Sequence, residues 1–337
     1  MNNFQWTQAS SVDQALASLT DDAVFKGGGV DLMDLLKERL IEPPRVINLR
    51  TISELDFVED DKGGGLRIGP AVTLAKVAAH PKVRSKWSIL ADAVGRAATP
   101  QIRNMATIGG NLLQRPRCWY FRSEQFYCRR KGGDTCYAQE GENQYHAIFN
   151  NTQCAIVHPS AAATPLVALG GSLVLKSPKG EREVEAEKFF VLPDVDVHHE
   201  NTIQPDEIVT TIKLPAPAAG TTMAYVRQGE KESFDWPLAE VAVVIERDGE
   251  TCRRASIVLG AASPAPHRAV DAEAALRGKR VDETTAADAA KLALKDAHVM
   301  TRNAYKLPLF DTLIRRTVLA AVGIDAVGSV ADFGGVR

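Results

Sequence analysis

Long apolar runs are missing from this chain: no stretch approaches the roughly 18 to 20 apolar residues that a membrane-crossing helix needs. Met1 to Ser10 lacks a basic segment followed by an apolar one, so no export signal is expected on the chain itself. Cysteine is scarce, five in 337 residues, too few for a disulfide scaffold. Net charge is nearly absent, −2 at pH 7, which gives no global reason to expect nucleic acid or an anionic membrane as partner. No Walker loop, GxGxxG fingerprint, HExxH or Ser-His-Asp order is present, so neither those phosphate-binding signatures nor hydrolytic chemistry has support.

What is present fits an ordinary two-domain globular protein, with 45% hydrophobic and 24% charged residues and room to enclose a dinucleotide-sized cofactor. Residues 10–20 read as a capped helix, 23–25 as a short strand, and DLMDLLKERL as a helix with leucines at helical spacing. Strands are predicted at 45–49 and 66–68, the second entered through a hairpin tip at Lys62 to Gly65. Helices are predicted at 73–80, 87–98 and 160–169, with strands at 172–176 and 207–214. Between 112 and 153 no apolar period is sustained, and a stretch of that length inside a domain needs a reason. Pro215 to Gly220 reads as a linker; beyond it come strands at 223–227, 238–246 and 254–260, then helices at 267–277, 284–297 and 307–322.

Two glycine turns carry the first chemical signal. Lys26-Gly27-Gly28-Gly29-Val30-Asp31-Leu32 lies between a strand and a helix start, where glycine allows close backbone approach and the helix N-terminus presents N–H donors to a phosphate. Thr107-Ile108-Gly109-Gly110-Asn111 offers a hydroxyl, two flexible glycines and an amide. Two such loops can share one pyrophosphate, or be unrelated turns. The second signal is Cys118, Cys128, Cys136 and Cys154, spaced C-x9-C-x7-C-x17-C with no CxxC pair. Tetrathiolate zinc sites usually show close pairs and iron–sulfur clusters tolerate varied spacing, so the residues leave cluster, zinc, disulfides and free thiols open, with zinc the least favoured. Arg115, Arg117, Arg122, Arg129, Arg130 and Lys131 crowd the same segment, as charge compensation or as a solvated basic surface. His158 reads as structural and the pair His198-His199 as exposed.

Taken together and in order, these pieces resemble the FAD subunit of the xanthine dehydrogenase and aldehyde oxidoreductase family, the molybdenum hydroxylases. KGGGVDLMDLL, LRIGPAVTLAKVAAHP and QIRNMATIGGNLLQ are similar to its flavin-loop segments; YVRQGEKESFDWPLAEVAVV, IVLGAASPAPHRA and NAYKLPLFDTLIRRTVLAAV resemble its later blocks. The likeness runs along nearly the whole chain. About 40 residues around 114–153 look inserted, which resembles the subfamily of the three-subunit bacterial aldehyde oxidoreductase and the 4-hydroxybenzoyl-CoA reductase, whose flavin subunits hold a [4Fe-4S] cluster there. Two departures stand out: Ala161 where the family often has aspartate, and Val30 where a threonine is common.

The resemblance implies an α+β chain: a two-subdomain FAD-binding fold of the vanillyl-alcohol-oxidase (PCMH) type over 1–219, a smaller C-terminal domain of sheet plus helices over 222–326, and a tail at 327–337. It implies FAD held by Lys26 to Leu32 and Thr107 to Asn111, with Ser160 beside the flavin edge, Arg227 at the isoalloxazine and Trp236 either on the ring or in the core. It also implies a [4Fe-4S] cluster on Cys118, Cys128, Cys136 and Cys154. Substrate oxidation falls to a large molybdenum-cofactor subunit, two [2Fe-2S] centres to a small subunit, and an external acceptor takes the electrons; this chain has no substrate-converting residues of its own. Aldehyde is the favoured substrate, with an aromatic acyl-CoA or N-heterocycle as alternatives. The expected compartment is the cytoplasm, or the periplasm if the chain is exported beside a signal-bearing partner. A freestanding flavin oxidase and a flavin-free scaffold are the competing readings.

Overall fold

A computed structural model describes residues 1–231 and 234–324. The expected tail at 327–337 lies outside the described residues, as do 325 and 326. Among the described residues three sheets organise the chain. The first is parallel, with β1 (Gln5–Gln8) and β2 (Val24–Lys26) flanking β3 (Arg45–Asn48). The chain leaves β2 through the glycine turn into the helix Val30–Lys37, which carries it back to lay β3 beside β2. Leu35 and Leu36 on that helix are buried, as the leucine spacing requires.

The second sheet is antiparallel. β4 (Val58–Asp60) and β5 (Leu66–Ile68) form the expected hairpin, and the order continues through β8 (Ile208–Leu214) and β6 (Ser172–Ser177) to β7 (Gly180–Glu185). Its buried face packs on the helices Leu74–Ala79, Pro81–Lys86, Ser88–Gly95 and Ala163–Ala168, around the fully buried Trp87 and Phe189.

β9 (Thr221–Gln228), β10 (Ala239–Asp248), β11 (Thr251–Gly260) and β12 (His267–Arg268) make the third sheet, also antiparallel. On β10, Ala239, Val241, Val243 and Ile245 face the helices Val270–Leu276, Glu283–Ala293 and Lys306–Ala321. The alternate residue Ala242, with Tyr225 and Val258 on neighbouring strands, packs on the core of the second sheet. Apolar burial on both faces accounts for the nearly unbroken run AEVAVV. No described helix is long and apolar enough to cross a membrane.

Several elements depart from the sequence reading, among them the unread strand Gln5–Gln8, the unread helices Pro100–Met105 and Ala186–Phe189, and His267–Arg268, a strand where the expected helix was to begin. The second glycine turn is a one-turn helix, Ile108–Leu112, with Thr107 as its N-cap, because the Thr107 hydroxyl accepts from Gly110 N–H at 3.2 Å. β7, GEREVE, is an edge strand with almost no buried face and so lacks apolar alternation. The helix Pro81–Lys86 buries only Val83, which hides its period.

Residues 113–159 are mostly irregular, apart from the one-turn helix Trp119–Arg122 and a turn of 3-10 helix at Arg129–Lys131. The segment is not empty of packing. Tyr120, Phe126 and Tyr137 meet edge-on or stacked, and Ile148 and Phe149 enter the C-terminal core. Buried asparagines tie its backbone down: Asn151 Nδ2 donates to Ala147 O, and Asn303 Nδ2 to His146 O and Ala147 O. Metal ligation is therefore not needed to explain all of its order.

Candidate functional site

A cavity of about 650 Å³ lies where the three sheets meet. That is the size of a typical ligand pocket. Lys26, Gly27, Gly28, Gly29, Val30, Asp31 and Leu32 line it, and so do Thr107, Gly109, Gly110, Asn111 and Arg227. The two glycine segments thus face one space. They touch closely: a Cβ on Gly28 would stand 2.2 Å from Met105 O, and one on Gly27 would stand 2.8 Å from the Thr107 hydroxyl. Gly29, at φ +82°, closes the turn in the left-handed region and caps the helix that follows.

The segments differ in what they offer. Among the described residues no hydrogen bond uses the backbone N–H of Gly27, Gly28, Gly29, Val30, Asp31 or Leu32. In the second segment Ile108 N–H donates to Val72 O, Gly109 N–H to Pro70 O, Gly110 N–H to the Thr107 hydroxyl and Asn111 N–H to Thr107 O. The first turn, half-exposed on the cavity wall and running into a helix N-terminus, keeps free donors, while the second segment spends its own within the chain. Lys26 adds a cation whose pKa is lowered by burial and by Arg50.

Two expected residues are outside the cavity wall. Ile108 is buried in the core. Ser160 is also buried; its hydroxyl donates to Asn111 Oδ1 at 2.8 Å, and the same oxygen accepts from Ala162 N–H at 3.0 Å. The departures Val30 and Ala161 both line the cavity. Arg227 donates to the carbonyls of Arg96 and Asp235. Trp236 is 53% exposed at the wall, not in the core, with the Arg117 guanidinium 5.0 Å from its ring centroid. His158 is buried and neutral, its pKa pushed down to about 3 by burial and then Arg130, whereas His198 and His199 are exposed.

The partners of several residues escaped the sequence reading, and Asp31, expected at the cofactor, is one of them. Asp31 turns its carboxylate to the irregular segment: Oδ2 accepts from Arg115 N–H at 2.8 Å, and Oδ1 pairs with Arg122 at 2.7 Å and Arg117 at 3.0 Å. Glu200, 3% exposed, pairs with Arg130 at 2.5 Å and Arg115 at 2.9 Å. The basic run is thus largely consumed by carboxylates rather than solvated. Glu240 is a buried carboxyl on the cavity wall, its pKa raised to about 7 by burial. A lone charged residue within an apolar strand run was the available signal.

Cys118, Cys128, Cys136 and Cys154 line one small cavity, and none is in a disulfide. Cys252 stands apart, fully buried. Among the described residues no group of three or more His, Cys, Asp or Glu is arranged to hold a metal ion. Burial pushes the Cys118 thiol up to about 12, while Cys136 and the Arg130 guanidinium hold Cys154 down at about 6. Leu35 lines the larger cavity and packs with Phe121 and Cys128, so one layer of side chains separates the two spaces.

Residues 2–217 match the family described as the FAD binding domain in molybdopterin dehydrogenase, and residues 224–321 match the CO dehydrogenase flavoprotein C-terminal domain. The chain belongs to the FAD-binding subunits of the molybdenum hydroxylases. It is 32% identical to the aldehyde oxidoreductase FAD-binding subunit PaoB of Escherichia coli K12, covering 90% of this chain and 91% of that protein. It is 27% identical to the carbon monoxide dehydrogenase medium chain of Hydrogenophaga pseudoflava, covering 94% and 96%. A solved structure of carbon monoxide dehydrogenase from that organism superposes with a TM-score of 0.75 at 26% identity, covering 95% of this chain and 98% of that one. The expected fold class, an FAD-binding fold followed by a smaller sheet-plus-helix domain, is the observed one.

Proposed function

We propose that this subunit carries electrons between two partner subunits and an external acceptor, with FAD across the two glycine segments and a [4Fe-4S] cluster on Cys118, Cys128, Cys136 and Cys154. The observation that carries the flavin placement is the run of six unused N–H groups from Gly27 to Leu32, at a helix N-terminus facing the cavity. These donors hold the pyrophosphate, with Lys26 adding charge and Thr107 to Asn111 closing the opposite side. Ser160 acts through Asn111, whose amide it orients. Arg227, fixed by two carbonyls, presents a cation to the isoalloxazine end, and Trp236 walls that end. When bound, FAD exchanges electrons singly or in pairs with donor and acceptor.

Four thiol side chains on one cavity are a donor set suited to a cluster, and Arg130 beside Cys154 favours the thiolate that iron requires. Partners are a large molybdenum-cofactor subunit and a small subunit with two [2Fe-2S] centres, in keeping with relatives named as medium chains. Likeness to PaoB favours aldehyde as the substrate of the assembly. The test is co-expression with both partner subunits and anaerobic mixing with an aldehyde. Bleaching of flavin absorbance that requires all three subunits is expected. Oxidase turnover by the isolated chain, or a colourless chain, would overturn the proposal in favour of a freestanding oxidase or a scaffold.

A further inference from the structure

Among the described residues, one uncharged side chain on the wall of the cysteine cavity reaches a sulfur, beside the backbone N–H groups that do so. His146, 3% exposed, places Nε2 3.2 Å from Cys118 Sγ. Its other nitrogen, Nδ1, is buried and has no hydrogen-bond partner among the described residues. The ring cannot easily turn away. Trp119 meets it edge-on at 5.4 Å and Tyr120 lies at 6.2 Å. The backbone is pinned on both sides, since His146 N–H donates to Asn143 O and its carbonyl accepts from Asn303 Nδ2.

A neutral imidazole carries one N–H, and the tautomer follows the partners available. Nδ1 has no acceptor to serve, while Nε2 faces a sulfur that, as an iron ligand, is a thiolate and can only accept. We propose that His146 is a positioning residue for the cluster: it donates Nε2–H to the Cys118 thiolate and raises the cluster's reduction potential. Reduction adds negative charge that spreads onto the ligand sulfurs, and a hydrogen-bond donor there stabilises the reduced form more than the oxidised one. Arg130 meets Cys154 on the other side of the cavity, but Glu200 at 2.5 Å offsets its charge. The role rests on the cluster reading above.

The test uses the full chain purified anaerobically as wild type, His146→Leu and His146→Gln, with iron and sulfide assayed before a redox titration followed by EPR. At equal iron content the potential is expected to fall in His146→Leu and to be partly restored in His146→Gln, which keeps an N–H. A role in packing alone would lower stability or iron content and leave the potential of the remaining cluster unmoved. Pulsed EPR of wild type labelled with 15N-histidine needs no variant: a nitrogen coupling to the reduced cluster is expected. Equal potentials in iron-replete wild type and His146→Leu, or no such coupling, would overturn the role of His146 alone. A wild type without iron would overturn the cluster reading and this role with it.

Discussion

Replacing Gly28 with alanine bears most directly on how the two glycine segments form one site. The added Cβ would lie 2.2 Å from Met105 O and 2.9 Å from Ala106 Cα, both backbone atoms that cannot rotate aside. Restoring ordinary contact requires the segments to separate by about 1 Å or the turn to tilt, a strain of roughly 1 to 3 kcal/mol by analogy with overpacked cores. The six N–H groups of Gly27 to Leu32 move with the turn, so the strain falls on the bound geometry. If all of it appears in binding, FAD affinity drops by about 5- to 140-fold, at about 1.4 kcal/mol per factor of ten. Quenching of flavin fluorescence on titration into apoprotein reads this directly. Gly95→Ala is the control: its Cβ would meet only Ala78 Cβ, at 3.4 Å, inside a helix. FAD affinity of Gly28→Ala within twofold of wild type would refute the account of a single cradle.

Asp31→Asn keeps the shape of the side chain but removes the charge that holds Arg117 and Arg122. A loss of about 1 to 3 kcal/mol is expected, since these are charge-assisted bonds. It should be seen as faster proteolysis within residues 115–131 and weaker FAD retention. Glu240 gives a pH dependence. Its pKa, raised from 4.5 to about 7, lets the folded chain keep a proton that the unfolded chain has released. That contribution is fully present below about pH 4.5 and lost as pH rises to about 7, at most about 3 kcal/mol. Urea unfolding of apoprotein at pH 5 and pH 8 should show a smaller loss for Glu240→Gln than for wild type. His267, stacked on Phe149 at 4.0 Å with its pKa lowered to about 4 by burial, works in the opposite direction. Its stabilisation is present above pH 6.5 and lost as pH falls toward 4, so His267→Phe should blunt acid unfolding over that range.

Much of the architecture was legible because apolar periodicity and glycine placement report local geometry. The leucines of Val30–Lys37, the hairpin tip at Lys62 to Gly65 and the apolar run along β10 each foretold an element that forms. What stayed hidden depends on partners distant in sequence. Nothing in KGGGVDL reveals that the Asp31 carboxylate serves Arg115, Arg117 and Arg122 more than eighty positions on. Thr107 reads as a phosphate-side hydroxyl, yet it caps Gly110 and abuts Gly27. β7 was missed because an edge strand exposed on both faces has no apolar signature. The cysteine spacing left four chemistries open, and only folding brings positions 118, 128, 136 and 154 to one cavity with His146 and Arg130.

The most direct test of the central claim is the cofactor content of this chain, purified without exposure to oxygen. FAD, iron and acid-labile sulfide should be measured together with the thiols that react with a disulfide reagent under native conditions. The account predicts about one flavin and about four irons per chain, with almost no reactive thiol, since four cysteines are ligated and Cys252 is buried. A chain with flavin but no iron, in which Cys118, Cys128, Cys136 and Cys154 all titrate, would contradict the cluster. A chain with neither would contradict the whole reading.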